Sequence, residues 1–324
     1  MGEGGDRMTQ TAETPAGPPL AVTSPARGPT VRPRRSSALA PLLWLGPALA
    51  LIAGVVLWPA VEMLRTSFSE VSPTGLIAGA AGLYNYRRML AEPALARVLL
   101  NTVVWVVGVV VVTVGIGLGL AQLMHGHFPG RRVVRWSLIV PWAASVVMTA
   151  IIWRWMLDFF YGVVNRAFTD LGLIGAPIDW LGEPRVAFGW MMGVAVFVSL
   201  PFTTYALLAG LHTISADLYE AARVDGASAW RTYRNITLPL LRPALMVATV
   251  INVINVFNSF PIIWAMTEGG PGNRTDTTTT FMYKLAFQNR NIGESAAMAM
   301  VNFSLVLVVV VLYLRLVRWK EQAT

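Results

Sequence analysis

The stretch VLLNTVVWVVGVVVVTVGIGLGLAQLM, residues 98–124, contains no charged side chain. A membrane-spanning helix needs about 20 consecutive apolar residues, so this stretch can cross a bilayer. The same criterion, applied outward in both directions, predicts an all-α polytopic membrane protein with six transmembrane helices. They are Leu39–Trp58, Val98–Met124, Trp136–Leu157, Val186–Leu211, Pro243–Met266 and Ser295–Leu314. Only the third holds a charged residue, Arg154, which lies between two tryptophans as interfacial arginines do.

The composition of the 324 residues argues against a soluble globular protein. Hydrophobic residues make up 55% of the chain and charged residues 13%, against about 25% charged residues in typical soluble domains. The mean hydropathy is +0.57. The chain has no cysteine, which excludes disulfides and chemistry at a cysteine thiolate.

The charge distribution predicts the topology. An even number of spans puts both termini on one side of the membrane. If that side is cytoplasmic, the cytoplasmic segments carry most of the Lys and Arg residues and the whole net charge of +8. The charge is thus a topology signal, and we expect no nucleic-acid binding. Residues 1–37 are predicted to be a disordered basic cytoplasmic tail near anionic lipid, 38–319 the transmembrane domain, and 320–324 a cytoplasmic tail.

Several kinds of functional site are missing from the sequence. There is no G-x-x-x-x-G-K-[ST] phosphate-binding loop and no recognisable nucleophile–base pair, so we expect neither catalytic residues nor an enzyme. No carboxylate lies within the six spans, which weakens the case for an ion-coupled carrier. His125-Gly-His127 alone is too weak a pattern to predict a metal site.

The connection between spans four and five, 215-SADLYEAARVDGASAWRTYRNITLP-239, is the most informative loop. Ser215 and Ser228 are predicted helix N-caps, and Gly226 fits the left-handed position that ends the first helix. The second helix should run to about Ile236, and Pro239 should then break or kink the chain.

Side chains in this loop suit either a docking surface or a solvated amphipathic segment. Glu220 and Asp225 offer charge for a partner's Arg or Lys. Small residues that let another surface approach are Ala221, Ala222, Gly226 and Ala227. Both interpretations stay open on the residues alone.

The pattern E-A-A-x-x-D-G-A followed by I-T-L-P resembles the EAA loop of bacterial ABC-importer permeases. The matching residues are Glu220, Ala221, Ala222, Asp225, Gly226, Ala227, Ile236, Leu238 and Pro239. The resemblance implies a type I (MetI-like) permease fold. It also implies that the segment 212–242 is the coupling element inserted into a cleft of an ATP-binding subunit.

A second pattern, 266-MTEGGPGNRTDT-277, is similar to the L-T-x-G-G-P-x-x-x-T-x-T loop of carbohydrate-importer permeases. The match is to the maltose/glycerol-phosphate type, first-permease branch. Asn85-Tyr86, Leu100-Asn-Thr102 and Pro201-Phe202 agree with it as well. The resemblance places Gly269, Gly270 and Pro271 in an external loop that faces a solute-binding protein.

The resemblance further implies partners and a location. A second homologous permease would form the other half of the pathway, and two cytoplasmic subunits would bind ATP and Mg²⁺. An extracytoplasmic solute-binding lipoprotein would deliver the sugar. The implied location is the bacterial cytoplasmic (inner) membrane, and no cofactor is expected within this chain.

Span five carries the candidate substrate-pathway residues. At about 100° per residue, Asn252, Asn255 and Ser259 share one helix face, while Asn258 is offset. Unpaired amides are costly in lipid, so this face should point into a wet pathway or hydrogen-bond another helix between the two permeases. The two interpretations stay open.

Two rival functions remain on the sequence. The first is an ABC permease for glycerol phosphate or another small solute, although a phosphate calls for cations near the pathway and the spans supply only Arg154. The second, from a different class, is an ion-coupled secondary carrier, which would respond to ion gradients and need no ATPase.

Overall fold

The computed structural model describes residues 39–126 and 128–322 and is predominantly helical. The chain divides into two compact units, Met1–Ala53 and Gly54–Thr324. The described part of the first unit is helical: α1 (Leu39–Leu51) is followed by the start of a π-helical turn, Ile52–Leu57. The predicted tail 1–37 lies outside the described residues, as do the last two residues of the predicted tail 320–324.

The second unit consists of helices and one small hairpin. Its first elements are α2 (Trp58–Ser67), β1 (Ser69–Val71), β2 (Ile77–Ala80), α3 (Tyr84–Ala91), α4 (Leu95–His125), α5 (Arg131–Ala143), α6 (Val146–Met156), α7 (Val163–Asp170) and α8 (Pro184–His212). There follow α9 (Ala216–Val224), α10 (Ala229–Thr232), α11 (Leu238–Leu240), α12 (Arg242–Phe257), α13 (Phe260–Thr267), α14 (Thr278–Tyr283) and α15 (Ile292–Gln322). The strands pair antiparallel, with Ser69 opposite Ala80.

Five helices in the described part of the chain are long and apolar enough to cross a membrane. They are Trp44–Ser67, Leu95–His125, Pro184–His212, Arg242–Thr267 and Ile292–Tyr313. These correspond to five of the six predicted spans, and the first extends beyond its predicted end at Trp58.

The third predicted span, Trp136–Leu157, is not one unbroken helix. Ala144 and Ser145 are extended, with ψ of 143° and 138°, and they separate α5 from α6. A count of apolar residues does not register such a local backbone break. In addition, α5 begins at Arg131, so part of the counted apolar run belongs to an amphipathic helix with a charged first half.

The long helices α4 and α8 pack extensively against each other. Helix α12 packs against both of them, and α13 packs against α8 and α6. One buried cluster includes Trp105, Val109, Met191, Val194 and Ile263. The Trp105 indole Nε1 donates to the Val256 carbonyl oxygen at 3.0 Å, so the polar atom of this buried ring is satisfied. These contacts fix α12 against α4.

Gly210 of α8 lies where the packing leaves no room for a side chain. A Cβ there would overlap the Cβ of Ala244 and come within 2.9 Å of a Leu241 methyl group. Gly193, on the same helix, has no neighbouring atom within 4 Å of its would-be Cβ. Gly193 can therefore serve as the control for a substitution at Gly210, since both lie on the same helix and only Gly210 lacks room for a side chain.

We predict that Gly210→Ala destabilises the protein by about 1–3 kcal/mol because overpacking forces α8 and α12 apart. Gly193→Ala should be neutral or stabilising, since alanine favours a helix over glycine by up to about 1 kcal/mol. The measurement is the melting temperature of each purified variant in detergent. Equal melting temperatures for the two variants would contradict this packing.

Candidate functional site

The first half of the 215–239 loop is a short helix with a defined cap at each end. The Ser215 Oγ accepts from the Asp217 backbone N–H at 3.3 Å, as predicted for an N-cap. At the other end Ala227 N–H donates to Ala222 O at 2.9 Å and Gly226 N–H donates to Arg223 O at 3.1 Å. This pair of bonds is a Schellman motif, and Gly226 has the φ of +69° that the motif requires. The predicted left-handed conformation of Gly226 is confirmed.

The second half continues without a break into the fifth span. Ser228 caps α10 by accepting from Arg231 N–H at 3.3 Å, as predicted. A π-helical turn, Tyr233–Thr237, then leads through α11 to a single turn residue, Leu241, before α12. Of the predicted break or kink at Pro239, the break does not occur: Pro239 lies within α11, directly after the π-helical turn.

The loop presents acidic and apolar side chains together on its surface. Glu220, Ala221, Asp225 and Gly226 are exposed, whereas Ala222 is buried; Ala227, Ile236, Leu238 and Pro239 are half-buried supports. Ala222 therefore does not belong to the predicted close-approach surface. Sequence reasoning missed the large apolar residues, Leu218, Val224 and Trp230, which are 43%, 87% and 70% exposed. Exposed apolar side chains beside carboxylates are typical of a surface that binds another protein.

A cavity of about 430 Å³ lies against the end of α12, and we call it the polar cavity after the asparagines and serines in its otherwise apolar lining. It is lined by Trp142, Val146, Val198, Ser199, Phe202, Asn252, Asn255, Asn258, Ser259, Pro261 and Ile262. All three predicted pathway residues are present. Asn258, predicted to be offset, joins them because α12 ends at Phe257 and helical spacing no longer applies.

The amides of the polar cavity differ in how much hydrogen bonding they have already used. Asn252 is 2% exposed, and its Nδ2 donates to Thr203 Oγ1 at 2.6 Å and to Ala248 O at 3.1 Å. Asn258 Nδ2 donates to Ile254 O at 2.9 Å. The exposed Asn255 side chain has no hydrogen bond to any described residue. Asn252 thus joins two helices of one chain, and Asn255 is the amide available to a ligand.

The second candidate loop, residues 267–277, is termed the Gly-Gly-Pro loop, and it lies at the opposite end of the fifth span from the 215–239 loop. Thr275 stabilises this loop by hydrogen bonds within it. The Thr275 Oγ1 donates to Gly270 O at 2.8 Å and lies 2.9 Å from Thr267 Oγ1. The Gly270–Pro271 peptide bond is cis, and Gly269 and Gly272 have positive φ. Asn101 Nδ2 donates to the carbonyl oxygens of Arg274 and Asp276, at 2.9 and 3.0 Å, and anchors the loop to α4.

A buried ion pair lies beneath this loop. Lys284 Nζ is 2.7 Å from Asp276 Oδ2 and 3.0 Å from Asn273 Oδ1, and Asp276 is fully buried. Burial raises the pKa of the Asp276 carboxyl above its ordinary value, and the Lys284 ammonium opposes that rise. A Cβ at Gly269 would overlap the Asp276 carboxylate. The sequence analysis gave no role to Asp276 or Lys284, although Lys284 is one of only two lysines in the chain.

We predict that Gly269→Ala destabilises the protein markedly more than Gly272→Ala. Both positions have positive φ, which costs a non-glycine residue about 1–2 kcal/mol, but a Cβ at Gly272 meets nothing within 4 Å. Only the change at Gly269 also displaces the buried carboxylate from Lys284. Melting temperatures in detergent test this difference, and equal losses for the two variants would show that the ion pair does not depend on Gly269.

Comparisons with known proteins agree with this architecture. Residues 111–323 match the family described as "Binding-protein-dependent transport system inner membrane component". A probable ABC transporter permease protein of Brucella suis is 40% identical over 87% of this chain and 98% of its own length. The trehalose/maltose transport system permease protein MalF of Thermococcus litoralis is 36% identical over 74% of this chain and 80% of its own.

A solved structure shares the fold. It is a bacterial ABC transporter involved in importing the acidic polysaccharide alginate, with a TM-score of 0.75 and 21% identity over 85% of this chain and 94% of that one. Together with the family match, this bears out the predicted MetI-like fold. The chain therefore belongs to the binding-protein-dependent transport system inner membrane component family, as a membrane-embedded ABC-importer permease whose ATPase is a separate subunit.

Proposed function

We propose that this chain forms half of the translocation pathway of a bacterial ATP-driven carbohydrate importer. The observation that carries the proposal is the doubly capped 215–239 loop, which follows α8 directly and runs on into the fifth span. A Schellman motif and two serine caps make the loop stiff. A stiff loop transmits a displacement to the helices at both of its ends.

The proposed partners follow from this loop and from the family. Two cytoplasmic ATPase subunits bind ATP and Mg²⁺, and one of them holds Glu220, Asp225 and the exposed Val224 and Trp230 in a cleft. A second, homologous permease completes the pathway, and a solute-binding lipoprotein delivers the sugar from outside. Both termini then lie in the cytoplasm, and the membrane is the inner membrane.

The polar cavity supports a neutral sugar as substrate. Sugars need hydrogen-bonding side chains and flat aromatic faces, and the cavity offers Asn255, Ser259, Trp142 and Phe202. None of its described lining residues is cationic, which disfavours glycerol phosphate. The related MalF protein, named for trehalose and maltose, favours the same substrate class.

The partner proposal is tested by affinity purification of the tagged chain from native membrane in mild detergent. We expect a second permease and an ATPase to co-purify, and Glu220→Lys to remove the ATPase because an ammonium replaces the docking carboxylate. Asp170→Lys is the control, since Asp170 is an exposed carboxylate on α7, outside the loop. Recovery of the ATPase with Glu220→Lys would exclude this residue from the interface, and a chain recovered without any ATPase would contradict the proposed function.

The two asparagines of α12 should respond differently to substitution. Asn255→Ala should raise the apparent KM for sugar uptake about three- to tenfold, which corresponds to one hydrogen bond, with little change in melting temperature. Asn252→Ala should lower the melting temperature, because it removes the bond to Thr203. Uptake kinetics and melting curves of the assembled importer test both. An unchanged KM for Asn255→Ala would remove Asn255 from the pathway.

A further inference from the structure

A second cavity, of about 540 Å³, lies at the beginning of α8, the end of that helix opposite the 215–239 loop. Its lining includes Arg97, Asn101, Glu183, Arg185 and Arg274. The three arginines come from three elements: α4, α8 and the Gly-Gly-Pro loop. We call this space the arginine cavity.

The positive charge of the arginine cavity is not neutralised within the described part of the chain. Arg97, Arg185 and Arg274 are exposed, and none forms an ion pair with a described residue. The single carboxylate, Glu183, accepts from Val186 N–H at 2.7 Å as the N-cap of α8. The cavity therefore has an excess of positive charge and attracts anions.

The placement of two of these arginines is unfavourable for the helices that carry them. Arg97 lies in the first turn of α4 and Arg185 in the first turn of α8, where the helix dipole favours acidic side chains. Neither position gains a compensating contact within the described chain. A bound anion would pair with the guanidinium groups, which have no ion-pair partner within the described chain.

The arginine cavity is preformed. Asn101 lies one helical turn after Arg97, and its Nδ2 holds the Arg274 carbonyl oxygen at 2.9 Å. The rest of the Gly-Gly-Pro loop is fixed by Thr275 and by the buried Asp276–Lys284 pair. Binding there requires no ordering of the backbone, which favours a specific contact.

We propose that the arginine cavity receives acidic side chains of the solute-binding protein and so fixes that protein on the outer face of the permease; this rests on the proposed function above. Arginine forks match carboxylates bidentately. An anionic solute would have to move on from the three arginines into the polar cavity, which has no cationic lining residue. A binding protein stays outside the membrane, so its acidic side chains need no second cationic site further along the pathway.

The test uses the whole importer in liposomes and the solute-binding protein that co-purifies with it. ATPase activity is measured against binding-protein concentration for the parent, for Arg97→Gln, Arg185→Gln and Arg274→Gln, and for Arg274→Glu. Arg166→Gln is the control, because Arg166 is an exposed arginine outside the cavity, near Asp170. We expect each cavity Gln variant to raise the half-maximal concentration about fivefold. Arg274→Glu should raise it further, and the control should match the parent.

The other outcomes discriminate between explanations. If the binding protein stimulates the ATPase activity of the parent and of the cavity variants with the same half-maximal concentration, this inference is overturned and the proposed function stays intact. A parent with no stimulation at all would overturn both. An unchanged half-maximal concentration with a raised KM for the solute would assign the cavity to an anionic solute instead. A defect that appears only in liposomes containing phosphatidylglycerol would assign it to lipid.

Discussion

A polar group inside a bilayer must find its partner within the protein, and this constraint determines how the helices of this chain are joined. Asn252 donates to Thr203, the Trp105 indole donates to the Val256 carbonyl, and Arg154 Nη1 donates to Ala265 O at 3.1 Å. Each of these bonds connects different helices. The fifth span is thereby held against α4, α6 and α8. In the polar cavity, by contrast, the Asn255 amide has no hydrogen bond to a described residue.

The helix α8 connects the two faces of the membrane that the proposed function needs. Its 29 residues extend about 43 Å at 1.5 Å per residue, which exceeds the roughly 30 Å hydrocarbon core. The arginine cavity lies at its beginning and the capped 215–239 loop follows its end. Local contacts hold both structures in place: the hydrogen bonds of the Gly-Gly-Pro loop at the arginine cavity, and the helix caps in the 215–239 loop. Under the proposed function, docking of the binding protein at one face and of the ATPase at the other therefore both act on α8.

Sequence reasoning succeeded where the cause is local and failed where it is distant. Five spans follow from hydropathy, and the conformation of Gly226 follows from the turn chemistry at a helix end. The broken third span was missed because no apolar count registers two extended residues. Asn258 was misplaced because helical spacing stops at Phe257. The roles of Asp276, Lys284 and the three arginines depend on contacts between elements far apart in the chain, which no pattern within one segment specifies.

The most direct measurement is sugar uptake by proteoliposomes that contain the assembled importer. We predict accumulation only when ATP is inside and the solute-binding protein outside, with no accumulation when a proton or sodium gradient replaces ATP. Uptake driven by such a gradient, in liposomes without ATP, would contradict the account and identify the chain as an ion-coupled carrier.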